Sequence, residues 1–186
     1  MKYPGQAIIA IDIQIDFLNH IPEQKSFTER VSLLFEYARS NQLPIIHVTS
    51  SFEPDGTDWM MFAKQRGSSP CIRGTDGVRT PDFASAAAGE MCFTKNCFDA
   101  FLGTQLQEYL VDHEIQRIYI CGLVTSICVN ITALSAMQRG FDTYVISDCV
   151  ADDDPEVHDK TLKYYGTLYH TSRSEELFSQ SDSLAQ

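Results

Sequence analysis

Basic residues are scarce in this chain. Fourteen Lys and Arg stand against 25 Asp and Glu, for a net charge of −11. Nucleic acid and anionic membrane surfaces are bound by neutralising phosphates with lysine and arginine, so this balance argues against both as partners. Long hydrophobic runs are also missing, and nothing approaches the roughly 20 apolar residues that cross a bilayer. The N-terminus, MKYPGQAIIAIDIQIDF, has only a short apolar run, interrupted by Asp12, and no small-residue cleavage site. A signal peptide is therefore not expected. The six cysteines (positions 71, 92, 97, 121, 128 and 149) lack metal-site spacing, and several lie in apolar runs. Reduced thiols in a cytoplasmic setting are the expectation.

What the chain does have is alternation. At 186 residues it suits one domain over 1–186, ending in a polar tail from about 179. Strands are expected at Ala7–Ile11, 45–51, Met91–Lys95, around 118–121, at Thr143–Ser147 and near Thr167–His170. Between the first two, Phe27, Val31, Leu34 and Ala38 share a helical face. Thr104 and Gln107 read as a capping box, Asp154–Pro155 as N-cap and first helical residue, Gly166 as a stop, and Ser172 with Glu175 as a final cap. The irregular stretch 52–90 is too long for an ordinary connection and is expected to shape a site. The expected fold is α/β: a three-layer α-β-α, Rossmann-like arrangement around a mostly parallel six-stranded sheet, with helices on both faces.

The stretch RIYICGLVTSICVN (117–130) carries the chemistry. A β-branched strand meets Gly122, a short turn, and then a helix patterned by Ile127, Ile131 and Leu134. Cys128 falls in the first turn, where backbone N–H groups and the helix dipole favour thiolate and could hold an oxyanion. In parallel sheets, ligands bind beyond the carboxyl ends of the strands. Asp12 ends the first strand, Lys95 ends the third, and Cys128 follows the fourth. A base, a cation and a thiol thus converge on one edge, with Lys95 placed to pair with Asp12. A carboxylate beside the thiol works against ionisation, so two resting forms stay open: a thiol sharing its proton with Asp12, or a thiolate held by Lys95 and the backbone donors. In either case Cys128 is expected to be alkylated by iodoacetamide faster than the other five cysteines.

Together with RGTDG, FTKNCFDAFLGTQLQEYL and YVISDCVAD, these motifs resemble the isochorismatase-like cysteine hydrolases, a family that includes nicotinamidases and N-carbamoylsarcosine amidases. The resemblance covers about residues 7–170. It implies that Asp12 acts as general base, that Lys95 orients it and that Cys128 attacks a carbonyl carbon. It also implies a cis peptide between Leu123 and Val124, and an oxyanion hole formed by the backbone N–H groups of Val124 and Cys128. Homo-oligomers are usual in the family. The implied activity is cleavage of an amide or ureido C–N bond in a small molecule, through a thioester acyl-enzyme and with no cofactor. Vinyl-ether hydrolysis of isochorismate and a catalytically idle scaffold are the alternatives.

Departures from the family narrow the substrate. Nicotinamidases carry an Asp and nearby histidines after the second strand, where this chain has SSFEPDGTDW, with Ser51 and Glu53 at the matching positions and no His. No metal is expected, and His47 reads as a packed or hydrogen-bonded residue within its strand. Phe17, Trp59 and Phe98 are candidate pocket walls. Phe101 reads as core, and Arg73 and Arg79 as solvated loop residues.

Overall fold

The computed structural model describes residues 3–183, with side chains described as far as residue 179. The first strand, β1 (Gln6–Ile11), runs into a single helical turn, α1 (Ile15–Leu18). Helix α2 (Gln24–Ser40) buries Phe27, Val31, Leu34, Phe35 and Ala38, the face expected from their spacing. Strand β2 (Ile45–Ser50), helix α3 (Met61–Arg66) and strand β3 (Met91–Lys95) follow. Next come α4 (Leu106–Asp112), β4 (Arg117–Leu123) and α5 (Asn130–Gln138). The chain closes with β5 (Asp142–Ala151), α6 (Pro155–Tyr165), β6 (His170–Ser172) and α7 (Ser174–Ser183).

All pairings in the sheet are parallel, in the order β3-β2-β1-β4-β5-β6. Such a sheet must be covered on both faces, and alternate residues of each strand serve the two sides. Ile9, Ile11, Ile46, Val48, Ile118 and Ile120 pack with Leu106 and Leu110 of α4 and Ala133 and Ala136 of α5. Ile8, Ala10, Ile45 and Tyr119 pack on the other face with α2 and Leu177 of α7. The strand order reverses direction between β1 and β4, the switch point where open parallel sheets leave a crevice. β1 and β4 touch most closely at their ends: a Cβ on Gly122 (φ +120) would lie 1.9 Å from the Ile11 carbonyl oxygen. Only glycine permits that approach.

Several elements differ from expectation. β6 lies three residues beyond the expected 167–170 and shares only His170 with it, because α6 ends in the turn Gly166–Tyr169. β5 continues to Ala151, past an irregularity opposite Ile120–Gly122 that the polar Ser147 and Asp148 disguise in the sequence. The Thr104 hydroxyl does accept from the Leu106 N–H, but Gln107 binds Arg139 rather than closing a box. Ser172 bonds Glu176, while Ser174 opens α7 on the Asp148 carboxylate, displacing the expected Ser172–Glu175 cap. Asp154 caps α6 through Glu156 as expected. Of the polar tail, 179–183 continue α7, and 184–186 lie outside the described residues. The largest reversal is in α5. Its buried side is Thr132, Ala133 and Ala136, together with Cys128 and Val129 before it, while Ile127 is exposed and Ile131 and Leu134 are half-buried. Small side chains let the helix sit close to the sheet, while Ile127 is turned outward and Leu134 packs at the margin of the core.

Candidate active site

Asp12 follows β1 at the switch point with φ +48, a left-handed conformation that Asp tolerates better than most residues. Its N–H bonds the Val48 carbonyl of the neighbouring strand. Lys95 ends β3 directly across from Ser50 of β2, which places its side chain over the crevice. Lys95 Nζ lies 2.6 Å from Asp12 Oδ2, and neither side chain is exposed at all. The same ammonium lies within hydrogen-bond reach of Ser50 Oγ (3.0 Å), the Cys97 carbonyl (2.8 Å) and Cys128 Sγ (3.5 Å), so with Asp12 its three protons are shared among four acceptors. Ser50 in turn donates to Asp12 Oδ1 at 2.9 Å, so each carboxylate oxygen has its own partner. Asp12, Lys95 and Cys128, 83 and 33 residues apart in sequence steps, therefore meet in one buried cluster.

Two residues in this cluster escaped the sequence reading. Ser50 sits inside it, and Gln14 fixes Ser50. The Gln14 amide donates to the Ser50 and Val78 carbonyls (2.8 and 2.7 Å) and accepts from the Ser50 N–H (2.8 Å). The signal was the run IDIQID, in which polar residues recur at every second position after a buried strand. Asp16, the last of them, accepts the Cys71 N–H at 2.6 Å. It also lies so close to Gly77 that a Cβ there would meet its Oδ1 at 2.0 Å. The RGTDG loop is thereby packed onto the first strand's exit.

Electrostatics favour a protonated thiol at rest. Burial pushes the Cys128 pKa well up, the Asp12 carboxylate adds to this, and Lys95 only partly opposes it. Lys95 is raised above its ordinary value: burial alone would lower it, but Asp12 and Cys128 outweigh the desolvation. The helix terminus, which would favour a resting thiolate, is therefore outweighed by burial and the carboxylate.

The turn that carries Cys128 is held from behind. Leu123–Val124 is cis, as the family resemblance implies. Residues Thr125–Val129 form a single wide π-type turn before α5. Asp152, just past β5 and only 4% exposed, accepts the Ser126 N–H at 2.7 Å through Oδ2, and its Oδ1 accepts the Asp153 N–H. Burial raises the Asp152 pKa, against the lowering effect of the Ser126 N–H. His158 of α6 meets the Thr125 hydroxyl at 2.8 Å. A surface cavity of about 390 Å³ opens on this side of the turn, lined among others by Arg30, Asp152, His158 and Arg173.

Among the candidate wall residues, Phe98 is half-buried three positions beyond Lys95, its ring 5.4 Å from that of Phe62. Trp59 is half-buried in its own loop, its indole N–H on the Glu53 carbonyl. Phe17 packs from α1 toward the α2 side of the sheet. Phe101 is core, stacked on Phe141. Arg73 and Arg79 are exposed and paired with Glu53 and Asp76. The stretch after β2 does not fit a metal: Glu53 is committed to Arg73 at 2.6 Å, and His47 lies against Phe35 of α2 with its Nε2 2.8 Å from Glu90. Among the described residues, no three His, Cys, Asp or Glu side chains come together as ligands.

An all-parallel sheet of this order, with a thiol, a lysine and an aspartate gathered beside its switch point, defines an α/β protein whose ionisable cluster lies where such sheets leave a crevice. The profile of the isochorismatase domain matches residues 6–173, and the chain belongs to that family. It is 27% identical over 168 residues to a probable inactive nicotinamidase of Arabidopsis thaliana, covering 84% of this chain and 86% of the relative. It is 26% identical over 147 residues to the maleamate amidohydrolase of Pseudomonas putida, covering 77% and 68%. The crystal structure of an isochorismatase family protein from Desulfovibrio vulgaris superposes with a TM-score of 0.85 at 22% identity, over 99% of this chain and all of that one.

Proposed function

We propose that this protein is a cysteine hydrolase that cleaves the C–N bond of a small amide or ureide through a thioester on Cys128. The observation that carries the reading is the Lys95 ammonium bonded at once to the Asp12 carboxylate and the Cys128 sulfur, with all three side chains shut away from water. Asp12 takes the thiol proton as Sγ attacks the carbonyl carbon, and the displaced electron pair goes to the carbonyl oxygen. The backbone N–H groups of Val124 and Cys128 hold that oxyanion. The C–N bond then breaks, with Asp12 returning the proton to the departing amine. Water, deprotonated by Asp12, adds to the acyl carbon; the C–S bond breaks, the carboxylic acid product leaves, and Asp12 returns the proton to the Cys128 sulfur. Lys95 limits the negative charge that gathers beside the sulfur. Phe17, Trp59 and Phe98 are assigned to the walls that receive the substrate.

Six free cysteines support a reducing, cytoplasmic setting. Exposed Ile127, beside half-buried Ile131 and Leu134, supports association with a second copy through α5. The test is a panel of maleamate, other small amides, ureides and isochorismate, run against wild type and Cys128→Ala. Amine or ammonia release by wild type alone supports the reading. Pyruvate release from isochorismate that survives Cys128→Ala replaces it with vinyl-ether hydrolysis, and no turnover at all marks an idle scaffold.

A further inference from the structure

We propose that Asp152 is a positioning residue of the reaction: by accepting the Ser126 N–H from the buried end of β5, it fixes the turn whose backbone N–H groups receive the oxyanion. The inference rests on the proposed function and deepens it. Val124 and Cys128 bracket Ser126, so a rotation of the Ser126 peptide moves both donors. Single π-type turns are rare and often mark functional sites. This one has two bonds of its own, from the Ile127 and Val129 N–H groups to the Val124 carbonyl (3.2 and 3.3 Å), and further restraint comes from outside. Asp152 binds the middle of the turn at 2.7 Å, and His158 binds the Thr125 side chain at 2.8 Å.

The charge matters as well as the contact. A carboxylate accepting a backbone N–H makes a stronger bond than a neutral acceptor does. Both Asp152 oxygens are engaged by backbone, Oδ2 by Ser126 and Oδ1 by Asp153, so the side chain cannot swing away without losing two bonds. The bonds of Asp152 run to the Ser126 and Asp153 N–H groups, whereas those of the Lys95–Asp12 cluster run to Ser50, Cys97 and Cys128, so Asp152 is not in the proton-transfer path. Its expected influence is therefore on oxyanion stabilisation alone, not on thiol reactivity.

That separation gives the test. Isotope-labelled acetaldehyde adds reversibly to Cys128: the S–H bond breaks with its proton passing to Asp12, the sulfur bonds to the aldehyde carbon, and the carbonyl electron pair moves to oxygen, placing an oxyanion in the hole. Alkylation of Cys128 by iodoacetamide forms no oxyanion. Adduct affinity is read by carbon NMR on wild type, Asp152→Ala and Asp152→Asn, and alkylation of the Cys128 peptide by mass spectrometry. Asp152→Ala should weaken the adduct about 10- to 100-fold, the loss expected on removing a hydrogen bond to a charged group. Alkylation should change by less than about twofold, and Asp152→Asn, which keeps one neutral acceptor, should recover only part of the adduct. If Asp152→Ala fails to fold, Asp152→Ser, too short to reach the Ser126 N–H, takes its place. Equal adduct affinity in wild type and the shortened variant overturns the role of Asp152 and leaves the proposed function standing. A wild type that forms no adduct at Cys128 overturns both.

Discussion

The Lys95 ammonium and the Asp12 carboxylate lie 2.6 Å apart with no solvent contact on either side chain. Taking two charges out of water is expensive, and a buried pair earns its place only when both ions are fully hydrogen-bonded. Here Ser50 bridges them and the Cys97 carbonyl takes another ammonium proton. Removing one partner strands the other. Lys95→Ala should lower the unfolding free energy by about 3–5 kcal/mol, and chemical denaturation measures it. A loss near zero would mean that Asp12 is protonated or hydrated in the native state.

The same pair has an alkaline signature. The Lys95 pKa is raised above its ordinary 10.5, so its contribution is complete below 10.5 and is lost as pH climbs through the higher folded value. Wild type should lose stability on that alkaline side more steeply than Lys95→Met, which has no ammonium there to titrate. Parallel curves would contradict the raised value.

An acid counterpart lies on the other face of the sheet. Glu90 resists burial through Arg39, the Ala87 N–H and His47, which together hold its pKa at about 2 against an ordinary 4.5. A depressed carboxylate stabilises above its unfolded pKa and stops doing so as pH falls through the folded one. Stability from Glu90 is therefore lost between pH 4.5 and about 2, and Glu90→Gln should flatten that part of the acid denaturation curve.

Thiol labelling should be ordered by exposure. Cys92 is exposed, whereas Cys128 is 4% exposed with its pKa pushed up. Iodoacetamide should therefore modify Cys92 before Cys128 in the resting protein, as peptide mapping over time would record. Faster labelling of Cys128 would mean that a thiolate is held at rest. Ser50→Ala should leave the fold intact but lower kcat about 10-fold or more, since it removes a hydrogen bond to a charged group worth roughly 1.5–3 kcal/mol.

Much of this molecule was legible in the chain, for identifiable reasons. Buried parallel strands are short β-branched runs, and Ile8–Ile11 and Ile118–Ile120 stand out whatever surrounds them. The convergence of Asp12, Lys95 and Cys128 followed from strand ends and one topological rule. Ser50 and Asp152 did not, because each acts through a hydrogen bond fixed by neighbours 38 and 26 residues away, with no local pattern to mark it. α5 misled for a different reason. The bulky residues of the expected stripe are exposed or only half-buried, and the close approach to the sheet is made by Thr132, Ala133 and Ala136, which are small or polar.

The claim on which the rest depends is that Cys128 becomes acylated. Turnover of a small amide, quenched in acid within the steady state and followed by peptide mass spectrometry, reads this directly. The account predicts an added acyl mass on the peptide carrying Cys128, absent after hydroxylamine treatment and in Cys128→Ala. Undiminished turnover by Cys128→Ala, with no acylated peptide in wild type, would contradict it.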